Sequence, residues 1–203
     1  MFDFSAIKFS LFGSFYTRGA DAREIVEAID RLNNGLRERG HAVTDPATAL
    51  SPERRIVGSS AKEIAEALYD RAERKLVEGS YTEAFTDVME ALRLNPGHGF
   101  ALNLLSEIFW LAGRYEDAVI FAGHAIQRLG KHDTAAYLSR AHAYTKLGMF
   151  LEALSDMTYI VDREPSEQAY TVRAWVLRQL GRHSEADADE IKASRTEPLR
   201  RPN

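Results

Sequence analysis

Gly79-Ser80-Tyr81-Thr82-Glu83-Ala84 decides the fold, because the chain plays its pattern three more times. The copies are Gly113-Arg114-Tyr115-Glu116-Asp117-Ala118, Gly148 to Ala153 and Gly181 to Ala186, so the glycines fall 34, 35 and 33 residues apart. A fixed period of that length is the mark of a stacked solenoid of helical hairpins, in which a repeat buries its apolar face only against its neighbours. Other residues keep step with the glycines. Ala84, Ala118, Ala153 and Ala186 recur, and Ala91, Ala125, Ile160 and Ala193 follow seven residues later. Ala72, Ser106, Ala141 and Ala174 precede each glycine by seven residues, and Pro96, Pro165 and Pro198 close three of the units, with Gly130 in the second.

These offsets together resemble the tetratricopeptide repeat over residues 65 to 199, in units beginning at Ala65, Gly99, Thr134 and Glu167. The resemblance implies a mainly α fold, a solenoid of four helical hairpins. The recurring small residues are then the places where helices approach closely. Two departures, Glu190 at a usually apolar position and His183 in place of Tyr81, Tyr115 and Phe150, mark the fourth unit as the polar end that a solenoid needs.

One expectation needs no family. In a hairpin that turns near its fifteenth residue, positions seven and twenty-three face each other. Units one, three and four place Arg71 with Asp87, Arg140 with Asp156, and Arg173 with Asp189, whereas unit two places Leu105 with Phe121. Three ion pairs and one apolar contact are expected, setting hairpin register. Exposed pairs of this kind add little stability.

The resemblance also implies a concave groove lined by the first helices. Its offsets fall on Glu66, Tyr69, Asp70, Glu73 and Leu76 in unit one, and on Phe100, Asn103, Leu104, Glu107 and Trp110 in unit two. In unit three they fall on Ala135, Leu138, Ser139, His142, Thr145 and Lys146, and in unit four on Gln168, Thr171, Trp175, Arg178 and Gln179. That surface runs from acidic through aromatic to weakly basic. It suits an extended or helical peptide with an apolar anchor near Trp110, selected by Glu73 and Glu107 at one end and by Lys146 and Arg178 at the other. The bland alternative is that Phe100, Trp110 and Trp175 pack between hairpins and the acids are a solvated face. The family's carboxylate clamp for chaperone C-termini does not fit in either register: its places hold Tyr69, Glu73, Leu104, Ala135 and Ser139, or Asn103, Glu107, Ser139, Gln168 and Val172.

Composition narrows the function class. The 203 residues are 45% hydrophobic and 28% charged, as in ordinary folded proteins, and the net charge of −4 is dispersed, against a nucleic-acid surface. No cysteine is present, which removes disulfides, thiol nucleophiles and thiolate metal sites. No signal peptide and no uncharged apolar run of spanning length is read, so the expected compartment is the cytoplasm. The six histidines lack metal-ligand spacing and are expected on surfaces or in loops, with His142, near Lys146, the one placed to sense pH. No nucleophile, base and orienter set stands out, so no catalytic residue, metal or cofactor is expected.

Residues 1 to 45 read as a small αβ cap or docking element, 46 to 59 as a linker, 60 to 199 as the repeat domain and 200 to 203 as a tail. Residues 6 to 12 alternate as a strand, Gly13-Ser14 breaks it, and a helix from about 21 to 39 precedes a second short strand at His41 to Thr44. That order weakly resembles the opening unit of Rossmann-like folds, including nucleoside deoxyribosyltransferase-like enzymes. It leaves two alternatives to the peptide groove: a nucleotide-linked sensor or degenerate enzyme using the Gly13-Ser14 loop, and self-association through the strand edge. Asn95-Pro96-Gly97-His98-Gly99 is the expected hinge between units one and two.

Overall fold

The computed structural model describes residues 59–130 and 133–196, and all regular structure within them is helical. The expected N-terminal αβ element, most of the linker and the tail lie outside the described residues, as do His41 and His132. The chain divides into two compact units, Met1–Arg114 and Tyr115–Asn203.

The described part of the first unit contains α1 (Ser59–Val77), α2 (Tyr81–Leu94) and α3 (Gly99–Leu111). Here α1 packs on α2, α2 on α3, and α1 also touches α3. The second unit contains α4 (Tyr115–Leu129), α5 (Ala135–Lys146), α6 (Phe150–Arg163), α7 (Glu167–Gln179) and α8 (His183–Arg195), each packed on the next.

The repeated glycine is the stop signal for alternate helices. Gly79, Gly113, Gly148 and Gly181 all have φ between 73° and 82°, a left-handed conformation that costs glycine nothing because it has no Cβ. Each donates its N–H to the carbonyl three residues back while the next residue reaches five back, as in Gly79 to Leu76 (3.2 Å) and Ser80 to Lys75 (2.8 Å). This is the Schellman arrangement, which satisfies carbonyls the helix end would leave open. After Gly79, Gly148 and Gly181 the next helix starts without a long loop and packs back on the one before it.

Small residues sit where helices meet. Ala72, Ser106, Ala141 and Ala174 are buried, as are Ala84, Ala118, Ala153 and Ala186. In the second unit, Leu138, Met157, Ile160, Val161 and Val172 form one core cluster, and Ala174, Leu177 and Ala186 form a smaller one beside Leu154. The last helix, α8, buries only Ala186, Asp189 and Ala193, so the polar end expected from Glu190 and His183 is present.

All three expected ion pairs form, and each is bidentate. Arg71 donates to Asp87 at 2.7 and 2.7 Å, Arg140 to Asp156 at 2.9 and 2.7 Å, and Arg173 to Asp189 at 2.7 and 2.8 Å. The carboxylate side of each pair is buried, so the small contribution of an exposed pair does not apply to it. Asp87, Asp156 and Asp189 are only 5%, 4% and 2% exposed, so removing an arginine would strand a desolvated carboxylate. Burial raises the pKa of the Asp87 carboxyl, but hydrogen bonds from Arg71 and Lys75 outweigh that and hold it below the usual range. Leu105 and Phe121 are each buried, in different units.

The expected hinge is tied down. The Asn95 carbonyl accepts from His98 N–H at 3.0 Å, and the Asn95 side chain accepts from Gly97 N–H at 3.3 Å. The His98 ring caps α3 by accepting the Ala101 N–H through Nδ1 at 3.3 Å, and Gly99 is buried as the first residue of that helix. Gly123, inside α4, leaves room beside Arg140: a Cβ there would lie 4.0 Å from the guanidinium nitrogen Nη1.

Candidate functional site

Helix geometry sets the first unit's face. Residues 66, 69, 70 and 73 follow the three- and four-residue spacing of one helical stripe on α1. Phe100, Asn103 and Glu107 repeat that spacing on α3. Ring contacts join the two helices, with Tyr69 centred 5.2 Å from His98 and 6.2 Å from Phe100.

Burial and the carboxylates of Glu73, Glu107, Asp70 and Glu66 all oppose ionisation of the Tyr69 hydroxyl and push its pKa well above the ordinary value. Tyr69 therefore stays a phenol at any physiological pH. Arg71 and Lys75 do not neutralise these acids, because both are turned toward α2. Lys75 Nζ lies 3.0 Å from both Asp87 and Glu83. Phe100 is 47% exposed beside the tyrosine, an apolar ring at the edge of an acidic surface.

Two polar residues in this region are buried: His98, and Asn103, which was expected to line the open groove. His98 lies in a loop, as expected, but is buried there; since Nδ1 accepts a hydrogen bond, the ring proton sits on Nε2, 3.0 Å from Glu66 Oε2. Its place directly before a helical stretch was the available signal. Asn103 is 7% exposed, and its Nδ2 donates to Glu107 Oε1 at 3.0 Å. That bond fixes which end of the amide is oxygen, and Asn103 Oδ1 is buried without a hydrogen-bond partner. Leu104 is also buried, and Trp110 is half-buried at the C-terminal end of α3.

The second unit treats its equivalent residues differently. Leu138 belongs to the core cluster. His142 is buried, not a surface sensor: burial, and secondarily the charge of Lys146, push its pKa down to about 4. It is a neutral core residue at neutral pH. Thr171 donates its hydroxyl to the Glu167 carbonyl at 2.7 Å, and Trp175 packs edge-on to Phe150 at 5.9 Å. Arg178, expected as a basic selector, lies between two acids of α8, 2.9 Å from Asp187 and 2.8 Å from Glu190. Glu190 thus serves as an ion-pair acceptor where an apolar residue is usual. Lys146 is exposed at the end of α5.

Among the described residues, no group of three or more His, Asp or Glu side chains is arranged to hold a metal ion. No described helix is long and apolar enough to cross a membrane.

No protein-family model matches the chain, and no curated protein matches it. Solved structures do. The MamA fragment from residue 41 to its end, from Desulfovibrio magneticus RS-1, superposes with a TM-score of 0.62 at 18% identity, covering 91% of this chain and 100% of that one. The first TPR domain of Spaghetti (RPAP3), bound to the HSP90 peptide SRMEEVD, gives 0.56 at 19% identity over 59% of this chain and 95% of its own. The second TPR domain of human RPAP3, in complex with the HSP70 peptide SGPTIEEVD, gives 0.53 at 23% identity over 57% and 97%. What the described helices share with these proteins is a fold, the hairpin of the tetratricopeptide repeat.

Proposed function

We propose that the chain is a non-enzymatic interaction module that holds a peptide or helix of a partner protein against the first helices of its hairpins. The observation that carries this reading is the face of α1 and α3. Exposed Phe100, the phenol of Tyr69 and the carboxylates of Glu66, Asp70 and Glu73 lie together there, while Arg71 and Lys75 serve the hairpin interior. Rings that bury apolar area and charges that choose the partner are what peptide recognition requires. The two RPAP3 domains carry chaperone peptides in their structures, which supports the same mode of use here.

The partner is of another kind. Both of those peptides end in Glu-Glu-Val-Asp, and the positions that would clamp such a terminus hold Tyr69, Glu73, Leu104, Ala135 and Ser139 in this chain. An acidic terminus would meet carboxylates. A decapeptide selected from a random library on the full chain, measured by calorimetry, tests the reading. Trp110→Ala and Glu107→Lys are expected to weaken it about tenfold or more, a loss of about 1.4 kcal/mol each. Unchanged affinity in both variants argues against the proposal.

A further inference from the structure

The geometry points to a subsite for an arginine side chain of the partner, formed by Tyr69, Asp70 and Glu73 on α1 and Asn103 on α3. The inference rests on the peptide-binding reading and names the chemistry its first unit selects.

Three observations converge on it. First, Asp70 and Glu73 are carboxylates with no ion-pair partner among the described residues, although Arg71 and Lys75 are close to them in the chain. The hairpin consumes those cations on its other side, leaving negative charge on this one. Second, Asn103 is more than nine-tenths buried with an acceptor oxygen that receives nothing, while its amide nitrogen is committed to Glu107. A buried acceptor without a donor is costly to keep, and a ligand N–H that reaches it would recover that cost. Third, Tyr69 and the half-exposed Phe100 bring aromatic rings beside the acids.

A guanidinium matches all three. It is planar, carries five donors and no acceptor, and is more weakly hydrated than an ammonium, so it can lie on a ring while its edges reach carboxylate and amide oxygens. Contact between a cation and a tyrosine face adds to the charge attraction. Lysine supplies charge without the flat face or the fork.

The probe is a capped decapeptide of glycine and serine with two central arginines, against the same peptide with citrulline, which keeps shape and loses charge, and with lysine. Binding to the full chain is followed by amide NMR. The arginine peptide is expected to bind about tenfold tighter than the citrulline peptide, with lysine between them. It should shift amides of residues 66–73 and 99–107, and its affinity should fall as salt rises. Asp70→Asn combined with Glu73→Gln should bring arginine to the citrulline level, and Asn103→Ala should weaken arginine more than lysine. Glu83→Gln, which removes one charge from the opposite side where Glu83 meets Lys75, should change nothing. Equal affinity for arginine and citrulline, an unaffected double variant, or no binding of the arginine peptide overturns the subsite. In each of those cases, library-selected peptides lacking basic residues would leave the groove standing, and a library yielding no binder would remove both.

Discussion

The first helices of the two units begin from the same architecture and spend their charge differently. In the second unit, three groups that position alone marked as available are engaged within the molecule. Arg178 holds Asp187 and Glu190, Trp175 meets Phe150, and His142 is buried and neutral. In the first unit, Asp70 and Glu73 hold no cation among the described residues and Phe100 stays half-exposed. The expected gradient from acidic to basic is therefore one-sided. Its acidic end faces outward, while the arginine of its basic end is neutralised by the next helix. Charge that folds back on its own hairpin maintains the structure, and charge left over can choose a partner.

The largest effect that would test this contrast comes from the second unit's interior. Asp189→Ala leaves Arg173, whose side chain is 14% exposed, without its bidentate partner. Breaking a buried pair from one side costs about 3 kcal/mol, so urea unfolding should shift to a clearly lower midpoint. The first unit's Asp87→Ala should cost less, because Arg71 is 53% exposed to water and Lys75, the other cation on Asp87, keeps Glu83 at 3.0 Å. Equal losses would show that burial does not separate the two units.

Next comes pH. His142 has a folded pKa of about 4 against 6.5 when exposed, so the folded state binds fewer protons than the unfolded one between those values. Stability from this residue is complete above pH 6.5, declines as pH falls toward 4, and changes no further below. The full loss is on the order of 3 kcal/mol. Melting temperature followed from pH 7 to 4.5 should fall in wild type and fall less in His142→Phe. A parallel decline in both would place the titration elsewhere.

These contrasts also show what was legible in the sequence. The hairpin period could be read because the glycine at each turn is a local backbone requirement, repeated at nearly constant spacing. The three arginine–aspartate pairs could be read because equal distance from a turn puts two positions opposite each other. The fate of Arg178 could not be read from its own position, since its acceptors belong to the following helix. Glu190 looked like a departure from pattern when it was half of the answer. His142 and Asn103 fall on the stripe that offsets assign to an open face, yet packing buries both. Whether a stripe residue is open depends on how closely neighbouring helices approach, which its own offset does not state.

Smaller effects sharpen the picture. Gly123→Ala should raise stability by up to about 1 kcal/mol, because alanine favours the helix and, among the described residues, a Cβ would meet only the Arg140 guanidinium at 4.0 Å. A loss instead would show that the Arg140 guanidinium cannot give way to the added methyl group. Arg178→Ala should leave peptide affinity unchanged and move the melting point little, since its pairs with Asp187 and Glu190 are exposed. Weakened peptide binding in that variant would return the second unit to the recognition surface.

The most direct measurement of the central claim maps a library-selected peptide onto the full chain by amide NMR. Shifts are expected to concentrate between residues 66 and 73 of α1 and between 99 and 110 of α3, with α2 and α8 unmoved. Saturable binding that shifts α2 or α8 instead, leaving the Tyr69 and Phe100 amides in place, would contradict the claim.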